Sequence, residues 1–385
     1  MKILMVHPHD LFDRSEPWTI RIKNIAREYV KKGHEVKICY FPLIVNEKHM
    51  AGHWESIEVI PMDRMPSPGA FIMNTKKLIK LSKWSDVVHF QKCHHYASVP
   101  TAIAAYVTGR KLHYEWDDWE EKIWYESCGR GTHSRFIGLS FNVLERWLPV
   151  LSDSVSCASQ HLKDLTHKFG VKKERIFDAP VGADLERFRP DLDGRWVRDK
   201  YGIKGDLVLY IGQLHGAQYV NLLIKAANIV LHYKPEATFM IVGEGFLEHT
   251  LKDMVRDLGI ERRVIFTGSI PHDDIPYYVS TSDVCVAAFN ETEVTICKSP
   301  LKIVEYLASG KAIVASNVGE VRKMVGGVGM LVEPSDHHAL SEGIIKLLDD
   351  KGLREILRHR ARRRAEEKYN WTWTAENVMK AYNLK

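Results

Sequence analysis

The sequence alternates short, mainly apolar runs with longer stretches in which apolar residues recur every three or four positions. Short runs without polar alternation indicate parallel strands that are buried on both faces. The longer stretches indicate amphipathic helices, which form right-handed crossovers between parallel strands. The pattern therefore predicts an α/β chain, and it constrains the fold more than any single residue does.

Strand and helix candidates alternate along both halves of the chain. The predicted strands are Ile3–Val6, Val36–Phe41, Ile57–Pro61, Val87–Phe90, Leu112–Trp116, Ser154–Ala158, Leu207–Ile211, Thr238–Val242, Val264–Thr267, Val284–Ala288, Ala312–Ala315 and Met330–Val332. The predicted helices are Thr19–Lys32, Val99–Thr108, Val220–Leu231, Leu247–Leu258, Asp274–Ser280, Pro300–Ala308, His337–Leu348 and a last one starting near Thr372. A Pro-, Gly- and Asp-rich break at "DAPVGADLERFRPDLDGRW" divides the 385 residues, which favours two doubly wound domains.

Composition excludes several classes of protein. Hydrophobic residues make up 45% and charged residues 27%, as in globular proteins, and no run is long enough to span a membrane. The six cysteines show no Cys-x-x-Cys spacing, which argues against a zinc site and for a reducing, cytoplasmic environment. The net charge of +5 is concentrated at 351–364, where a solvated helix face is favoured over a polyanion site. No nucleic-acid motif accompanies it, so nucleic acid is not an expected partner.

Two glycine-bearing turns follow predicted strands of the second half. Gly212 ends "LVLYIG", and Gly243 and Gly245 form "GEG" after "FMIV". Small residues are common in strand-to-helix turns, and they also let a phosphate group approach a helix N-terminus. The first strand is not followed by Gly-x-Gly-x-x-Gly, so a dinucleotide-binding oxidoreductase is not indicated.

Acidic residues follow another predicted strand, where "HYEWDDWEE" places Asp117 and Asp118. Two interpretations stay open at this point. The aspartates cap the next helix, or they bind sugar hydroxyl groups with Trp116 and Trp119 as stacking surfaces.

The segment "SPLKIVEYLASG" carries the most specific signal. Ser299 and Pro300 predict the N-cap and the first residue of a helix. Lys302 lies in its first turn, where the helix dipole disfavours a cation unless an anion binds beside it. A diphosphate there would gain the N–H groups of Leu301 and Lys302, and Glu305, one turn on, suits the two hydroxyls of a ribose.

These residues resemble the GT-B retaining glycosyltransferases of the "glycosyl transferases group 1" type, which are glycosyltransferase family 4-like. The resemblance is specific in the second half, through "LYIGQLHGAQYVNLLIKAA", "FMIVGEGFLEHTL", "VIFTGSIPHDDIPYYV" and "SPLKIVEYLASGKAIVAS". It is looser in the first half, through "MKILMVHP", "KKGHEVKI" and "APVGADLERFRP". It implies two Rossmann-like domains facing across a cleft: 1–182 on the acceptor side and 183–369 for the nucleotide-sugar donor. A final helix at 370–385 would cross back onto the first domain.

The resemblance also implies roles for single residues. Glu305 matches the second glutamate of the family's E-x(7)-E motif, which binds the donor ribose, and Lys302 matches the diphosphate cradle. The remaining positions that match donor-binding segments are Gly212, Gln213, Gly243, Gly245, Gly268, Ile270, Ser299, Pro300 and Leu301. The first glutamate of the motif falls at Cys297, and Gln213 stands where the family has an arginine. Lys298 and Arg21 are candidate replacement cations.

The implied function is transfer of a sugar from a nucleotide diphosphate sugar, such as a UDP- or GDP-sugar, to an acceptor hydroxyl. The acceptor would be a glycan, a lipid-linked or a small molecule, and the reaction would retain configuration without a metal or other cofactor. Lys302, Glu305, Asp117 and Asp118 are the catalytic candidates. The alternatives are a nucleotide-sugar epimerase, a phosphorylase or a non-catalytic scaffold subunit. The apolar segment "SRFIGLSFNVLERWLPVL" adds an expectation of peripheral membrane contact.

Overall fold

The computed structural model describes residues 1–12, 16–43, 52–129, 131–216 and 219–383. The chain forms two compact units, Met1–Pro180 with Trp371–Lys385, and Val181–Asn370. Each unit is built on its own, largely parallel sheet covered by helices. The predicted α/β class with two parallel-sheet domains is therefore confirmed.

The sheet of the first unit is centred on its first strand. Its strands are β1 (Lys2–His7), β2 (Glu35–Tyr40), β3 (Gly52–Trp54), β4 (Ile57–Pro61), β5 (Val87–Gln91), β6 (Lys111–Trp116), β7 (Ser154–Cys157) and β8 (Ile176–Asp178). They lie in the order β3-β4-β2-β1-β5-β6-β7-β8, with only the β3–β4 pair antiparallel among the described strands. In the register of β1, Met5 pairs with Ile38 on one side and with His89 on the other. Side chains of β1 from Ile3 to Val6 are fully buried, which explains the apolar run.

Helices of the first unit connect these strands. They are α1 (Pro17–Lys31), α2 (Pro68–Trp84), α3 (His95–Thr108), α4 (Glu120–Cys128), α5 (Thr132–Leu151) and α6 (Gln160–Lys168). A short 3₁₀ turn at Lys173–Arg175 precedes β8. The last helix of the chain, Trp371–Tyr382, also belongs to this unit and packs against α1, β7 and β8.

The second unit repeats the scheme. Its strands are β9 (Leu207–Ile211), β10 (Thr238–Val242), β11 (Val264–Phe266), β12 (Val284–Ala287), β13 (Ala312–Ser316) and β14 (Met330–Val332), in the order β11-β10-β9-β12-β13-β14. Its helices are α7 (Arg195–Tyr201), α8 (Val220–Tyr233), α9 (Glu248–Asp257), α10 (Ile275–Thr281), α11 (Glu293–Cys297), α12 (Leu301–Ala308), α13 (Val321–Val325), α14 (His337–Asp349) and α15 (Lys351–Glu367). The last helix of the chain, Trp371–Tyr382, which belongs to the first unit, is α16.

The basic segment at 351–364 forms α15, and several of its arginines bind backbone carbonyls. Arg354 is buried and donates to the carbonyls of Leu347 and Leu348. Arg362 donates to the carbonyl of Ala308, the last residue of α12, at 2.7 Å. The expectation of a purely solvated face is therefore wrong in part, because these cations anchor α15 and the end of α12.

Candidate functional site

The candidate site lies at the carboxyl edge of the second sheet, where α12 begins. Pro300 is the N-cap, with extended backbone and no side-chain cap, so the helix starts one residue later than predicted. The Oγ of Ser299 accepts a hydrogen bond from the N–H of Val181 at 3.2 Å instead of capping α12. A helix has no internal carbonyl for its first N–H groups, and here these belong to Leu301 and Lys302.

Lys302 is buried beside the first glycine turn. Its Nζ lies 4.0 Å from the centre of the Tyr210 ring. A Cβ atom on residue 212 would lie 2.7 Å from that Nζ and would crowd it. The glycine at this position therefore makes room for the ammonium group. Burial, and then the charge of Lys298, hold the pKa of Lys302 well below its usual range, against the raising effect of Glu305. An anion bound here would remove this penalty.

His215 adds to this cationic region, and the sequence analysis did not identify it. Burial, Lys298 and Lys302 lower the pKa of His215 to about 4. These couplings place His215 and Lys298 within electrostatic reach of the Lys302 ammonium group. Gln213, two positions before His215, is exposed. The signal that was overlooked is the histidine in "QLHG", directly after a strand of the site.

Glu305 is buried and binds a histidine that the sequence analysis also missed. The Oε1 of Glu305 accepts a hydrogen bond from the Nε2 of His272 at 2.8 Å, and the two side chains are 5% and 19% exposed. Oε2 accepts no hydrogen bond from the residues that the structure describes. Thirty-three positions separate the two residues, so no spacing pattern could have indicated the pair.

The predicted glycine turns pack against one another. The N–H of Gly243 donates to the carbonyl of Gly268 at 2.9 Å. A Cβ on Gly243 would lie 2.0 Å from the carbonyl oxygen of Gly212, and one on Gly245 would lie 2.3 Å from that of Leu214. The ends of β9, β10 and β11 are thereby held together, with the half-buried Ile270 just beyond Gly268.

The position of the missing carboxylate is occupied by a buried thiol. Cys297 is 1% exposed at the end of α11, and Glu291 and Glu293, which precede it, are exposed. The replacement cation suggested in the first unit, Arg21, pairs there with Glu115, through Nε at 3.0 Å and Nη2 at 2.8 Å. Within the described residues, Lys298 is therefore the better candidate for a second phosphate cation.

A second group of charges surrounds Lys92 in the first unit. Its Nζ lies 3.5 Å from Asp117, 3.1 Å from Asp118 and 2.5 Å from Glu120. Lys92 follows β5 and the aspartates follow β6, its neighbour, so parallel pairing brings them to one edge. Burial raises the pKa of Asp117 to about 7, and the nearby Lys92 opposes that shift.

The structure corrects two interpretations of "HYEWDDWEE". Neither aspartate caps α4, because its N-cap is Trp119 and its first N–H groups, those of Glu120 and Glu121, donate to Glu145. Trp116 is fully buried, so it offers no stacking surface to a ligand. The assignment of the aspartates to sugar hydroxyls, with the partly exposed Trp119 as a stacking surface, remains a prediction.

Two further features of the described chain concern possible ligands elsewhere, namely its potential metal-binding groups and a second cleft. Among the described residues, no group of three His, Cys, Asp or Glu side chains is arranged to hold a metal ion. A cleft of about 650 Å³ lies at the opposite, amino edge of the second sheet, lined by Arg198 and Lys234 among others. Both cations are already paired, with Asp283 and Asp349.

Comparisons with known proteins cover most of the chain. The family profile described as "Glycosyl transferases group 1" matches residues 197–366, and "Glycosyltransferase Family 4" matches residues 19–187. The chain is 24% identical over 369 residues to N-acetyl-alpha-D-glucosaminyl L-malate synthase of Bacillus anthracis, covering 93% of this chain and 90% of that one. It is 26% identical over 237 residues to D-inositol 3-phosphate glycosyltransferase of Corynebacterium glutamicum, covering 58% and 55%.

The chain spans about half the length of several curated relatives that it matches, with coverages of those relatives between 47% and 56%. Among solved structures, its fold is similar to that of Anabaena HepE in complex with UDP and glucose. The TM-score is 0.76 at 20% identity, over 99% of this chain and 98% of that one. At this identity the likeness establishes the fold.

Proposed function

Because this chain belongs to the family 4-like glycosyltransferases of the group 1 type and has their GT-B fold, we propose that it transfers a sugar from a nucleotide diphosphate sugar to an acceptor hydroxyl. The observation that carries the proposal is the start of α12, where Lys302 and Glu305 are both buried less than one turn apart. A cation at the start of a helix attracts phosphate oxygens, and a carboxylate accepts hydrogen bonds from hydroxyl groups. A diphosphate suits Lys302, and the hydroxyls of a ribose suit Glu305.

These residues would act by electrostatic stabilisation of the leaving group. As the bond from the sugar to the diphosphate breaks, negative charge grows on the leaving phosphate. Lys302, the N–H groups at the start of α12 and the nearby Lys298 would stabilise that charge. The acceptor proton would pass to a phosphate oxygen, so no protein base would be required. We further propose that the reaction retains configuration and that these cations take the place of a metal ion. His215 would gain a proton more readily once the anion is bound.

We assign Asp117 and Asp118 to contacts with the acceptor or the transferred sugar. They follow β6 at the carboxyl edge of the first sheet, which is where open α/β sheets bind ligands. The carboxyl of Asp118 is 20% exposed, so it is accessible to a hydroxyl group while Lys92 holds it. The acceptor class stays a glycan, a lipid-linked or a small molecule.

The proposal is tested with the purified 385-residue chain and a panel of UDP- and GDP-sugars. A true donor should raise the midpoint of thermal unfolding. Glu305→Ala and Lys302→Ala should each lower kcat/KM by about a hundredfold or more while the fold is kept, and exposed His249→Ala serves as control. Wild-type kinetics in both site variants would refute the site. Release of nucleoside diphosphate without an acceptor favours a phosphorylase or epimerase, and no nucleotide binding favours a scaffold subunit.

A surface of the first unit supports a further proposal, peripheral contact with an anionic membrane. Helix α3 packs between α2 and α5, and α2 and α3 contain no Asp or Glu. The one carboxylate of α5, Glu145, is buried. The exposed apolar side chains of these helices include Tyr106, Val107, Phe136, Leu139, Val143 and Trp147, and their exposed cations include Lys76, Lys77, Lys80, Arg135 and Arg146. Such a combination fits the interface of an anionic bilayer.

None of the described helices has the length and apolar character that crossing a bilayer requires. Flotation with liposomes measures surface contact directly. We expect the protein to float with vesicles containing phosphatidylglycerol and much less with pure phosphatidylcholine. Phe136→Glu with Leu139→Glu should abolish flotation, while Ile356→Glu, the same kind of change at an exposed position of α15, should not. Protein that stays at the bottom with both vesicles would refute the contact.

A further inference from the structure

We propose that His272 is a positioning residue that orients the Glu305 carboxylate toward the donor ribose, and thereby sets the preference for ribose over 2′-deoxyribose. The inference rests on the proposed function, because it takes Glu305 as the ribose acceptor group. No motif in the sequence assigns a role to His272. Contacts to its backbone carbonyl, to one ring face and to both ring nitrogens support this role.

The imidazole is held by a neighbouring arginine and a buried phenylalanine. Arg187 Nη2 donates to the backbone carbonyl of His272 at 2.9 Å, and Arg187 also pairs with Asp273 at 3.0 Å. The ring of Phe188, which is 1% exposed, lies 5.9 Å from the imidazole, centre to centre. With the bond to Glu305, these contacts fix the backbone, one face and one nitrogen of the histidine.

Arg187 also selects the tautomer. Its Nη1 lies 3.5 Å from Nδ1 of His272, and an arginine can only donate. Nδ1 is therefore the acceptor nitrogen, and the proton of a neutral imidazole lies on Nε2. From Nε2 it is donated to Oε1 of Glu305 at 2.8 Å. The imidazole thus needs no protonation to hold the carboxylate.

The two carboxylate oxygens of Glu305 therefore differ in what they can bind. Oε1 is held by His272, and Oε2 accepts no hydrogen bond from the described residues. A carboxylate fixed by one oxygen presents the other in a single direction, which a ribose hydroxyl can meet without further ordering. Without His272 the carboxylate can turn, and the advantage of a 2′-hydroxyl shrinks.

Isothermal calorimetry with UDP, GDP and their 2′-deoxy counterparts tests this in the 385-residue chain. For the wild type we expect about tenfold weaker binding of the deoxy form of whichever diphosphate binds. His272→Leu should reduce this ratio to about twofold or less, and His272→Gln, whose amide can donate from a similar position, should restore most of it. His249→Leu makes the same chemical change at an exposed position of the same unit and should keep the full ratio.

The outcomes separate the two proposals. A wild type that binds neither diphosphate, or that does not distinguish ribose from deoxyribose, contradicts the ribose role of Glu305 and the inference that rests on it. A wild type that discriminates, together with a His272→Leu variant that discriminates equally, overturns the positioning role alone. Equal loss in His272→Leu and His272→Gln also overturns it, because a donor to Oε1 would then not be what matters.

Discussion

Lys302 is the side chain whose protonation should respond most to a donor. In the protein without ligand, burial and Lys298 keep its pKa well below the usual lysine range. A bound diphosphate favours the charged form and raises that pKa. At pH values between the pKa of the free protein and the pKa of the complex, binding should therefore take up about one proton. Donor affinity should then fall as pH rises through the lower pKa, by about tenfold per pH unit. Calorimetry in buffers of different ionisation enthalpy measures the uptake.

Lys302→Arg is the matched control, because a guanidinium stays protonated throughout this pH range. The arginine variant should bind a nucleotide sugar without taking up the proton. His215 can also gain a proton near the bound anion, so the informative quantity is the difference between wild type and variant. Equal proton uptake in both proteins would show that Lys302 is not the group that titrates.

Residues of the site differ in how far the sequence could reveal them. Lys302 and Glu305 lie on one short helix, where spacing alone predicts that they are neighbours. His272 reaches Glu305 from the loop before α10, and His215 reaches the lysines from the loop after β9, so both depend on tertiary packing. The sequence also predicts a ligand-binding role for the aspartates after β6. Their contact with Lys92 depends on the pairing of β5 with β6, which a single sequence does not reveal.

Strands were predicted better than helices for a physical reason. The predicted strands agree with the observed ones to within one residue at each end, because strands buried on both faces are continuous apolar runs. The missed strands β3 and β8 have three residues each and are partly exposed. Helix α2 was missed because its buried face consists of Ala70, Asn74, Leu78 and Ser82, half of which are polar.

The close approach of two turns, after β9 and after β10, makes a prediction at the level of these elements. In Gly243→Ala the new Cβ would lie 2.0 Å from a backbone oxygen of Gly212, and the residue has a φ of 137°. Because neither turn can yield without moving its strand, we expect a loss of about 2–4 kcal/mol of stability. Gly216→Ala is the control, since nothing lies within 4 Å of its Cβ position. Calorimetric unfolding that gives both variants the same midpoint would contradict the prediction.

At the scale of the whole molecule, the chain leaves the first unit at Pro180 and re-enters it at Trp371. Neither composition nor periodicity indicates this return, and only the family resemblance suggested it. Helix α16 buries Trp371, Val378 and Tyr382 within the first unit, and Thr374 Oγ1 donates to the carbonyl of Pro180 at 2.9 Å. The last helix is therefore part of the core of the unit that contains the first strand.

Truncation after Asn370 should consequently damage the first unit and spare the second. Loss of these three side chains should cost the first unit about 6 kcal/mol, at roughly 2 kcal/mol for each large buried side chain. Hydrogen exchange should show that β6, β7 and β8 lose protection while β12 and β13 keep theirs. The nucleoside diphosphate that binds the wild type should still raise the unfolding midpoint of the second unit. Glu376→Ala, which removes only an exposed ion pair of α16 with Lys32, should leave exchange unchanged.

Protection of β7 that survives truncation would show that the first unit folds without α16. Loss of protection in both units would show that they do not fold independently, because the deleted helix belongs to the first unit, where it packs against α1, β6, β7 and β8.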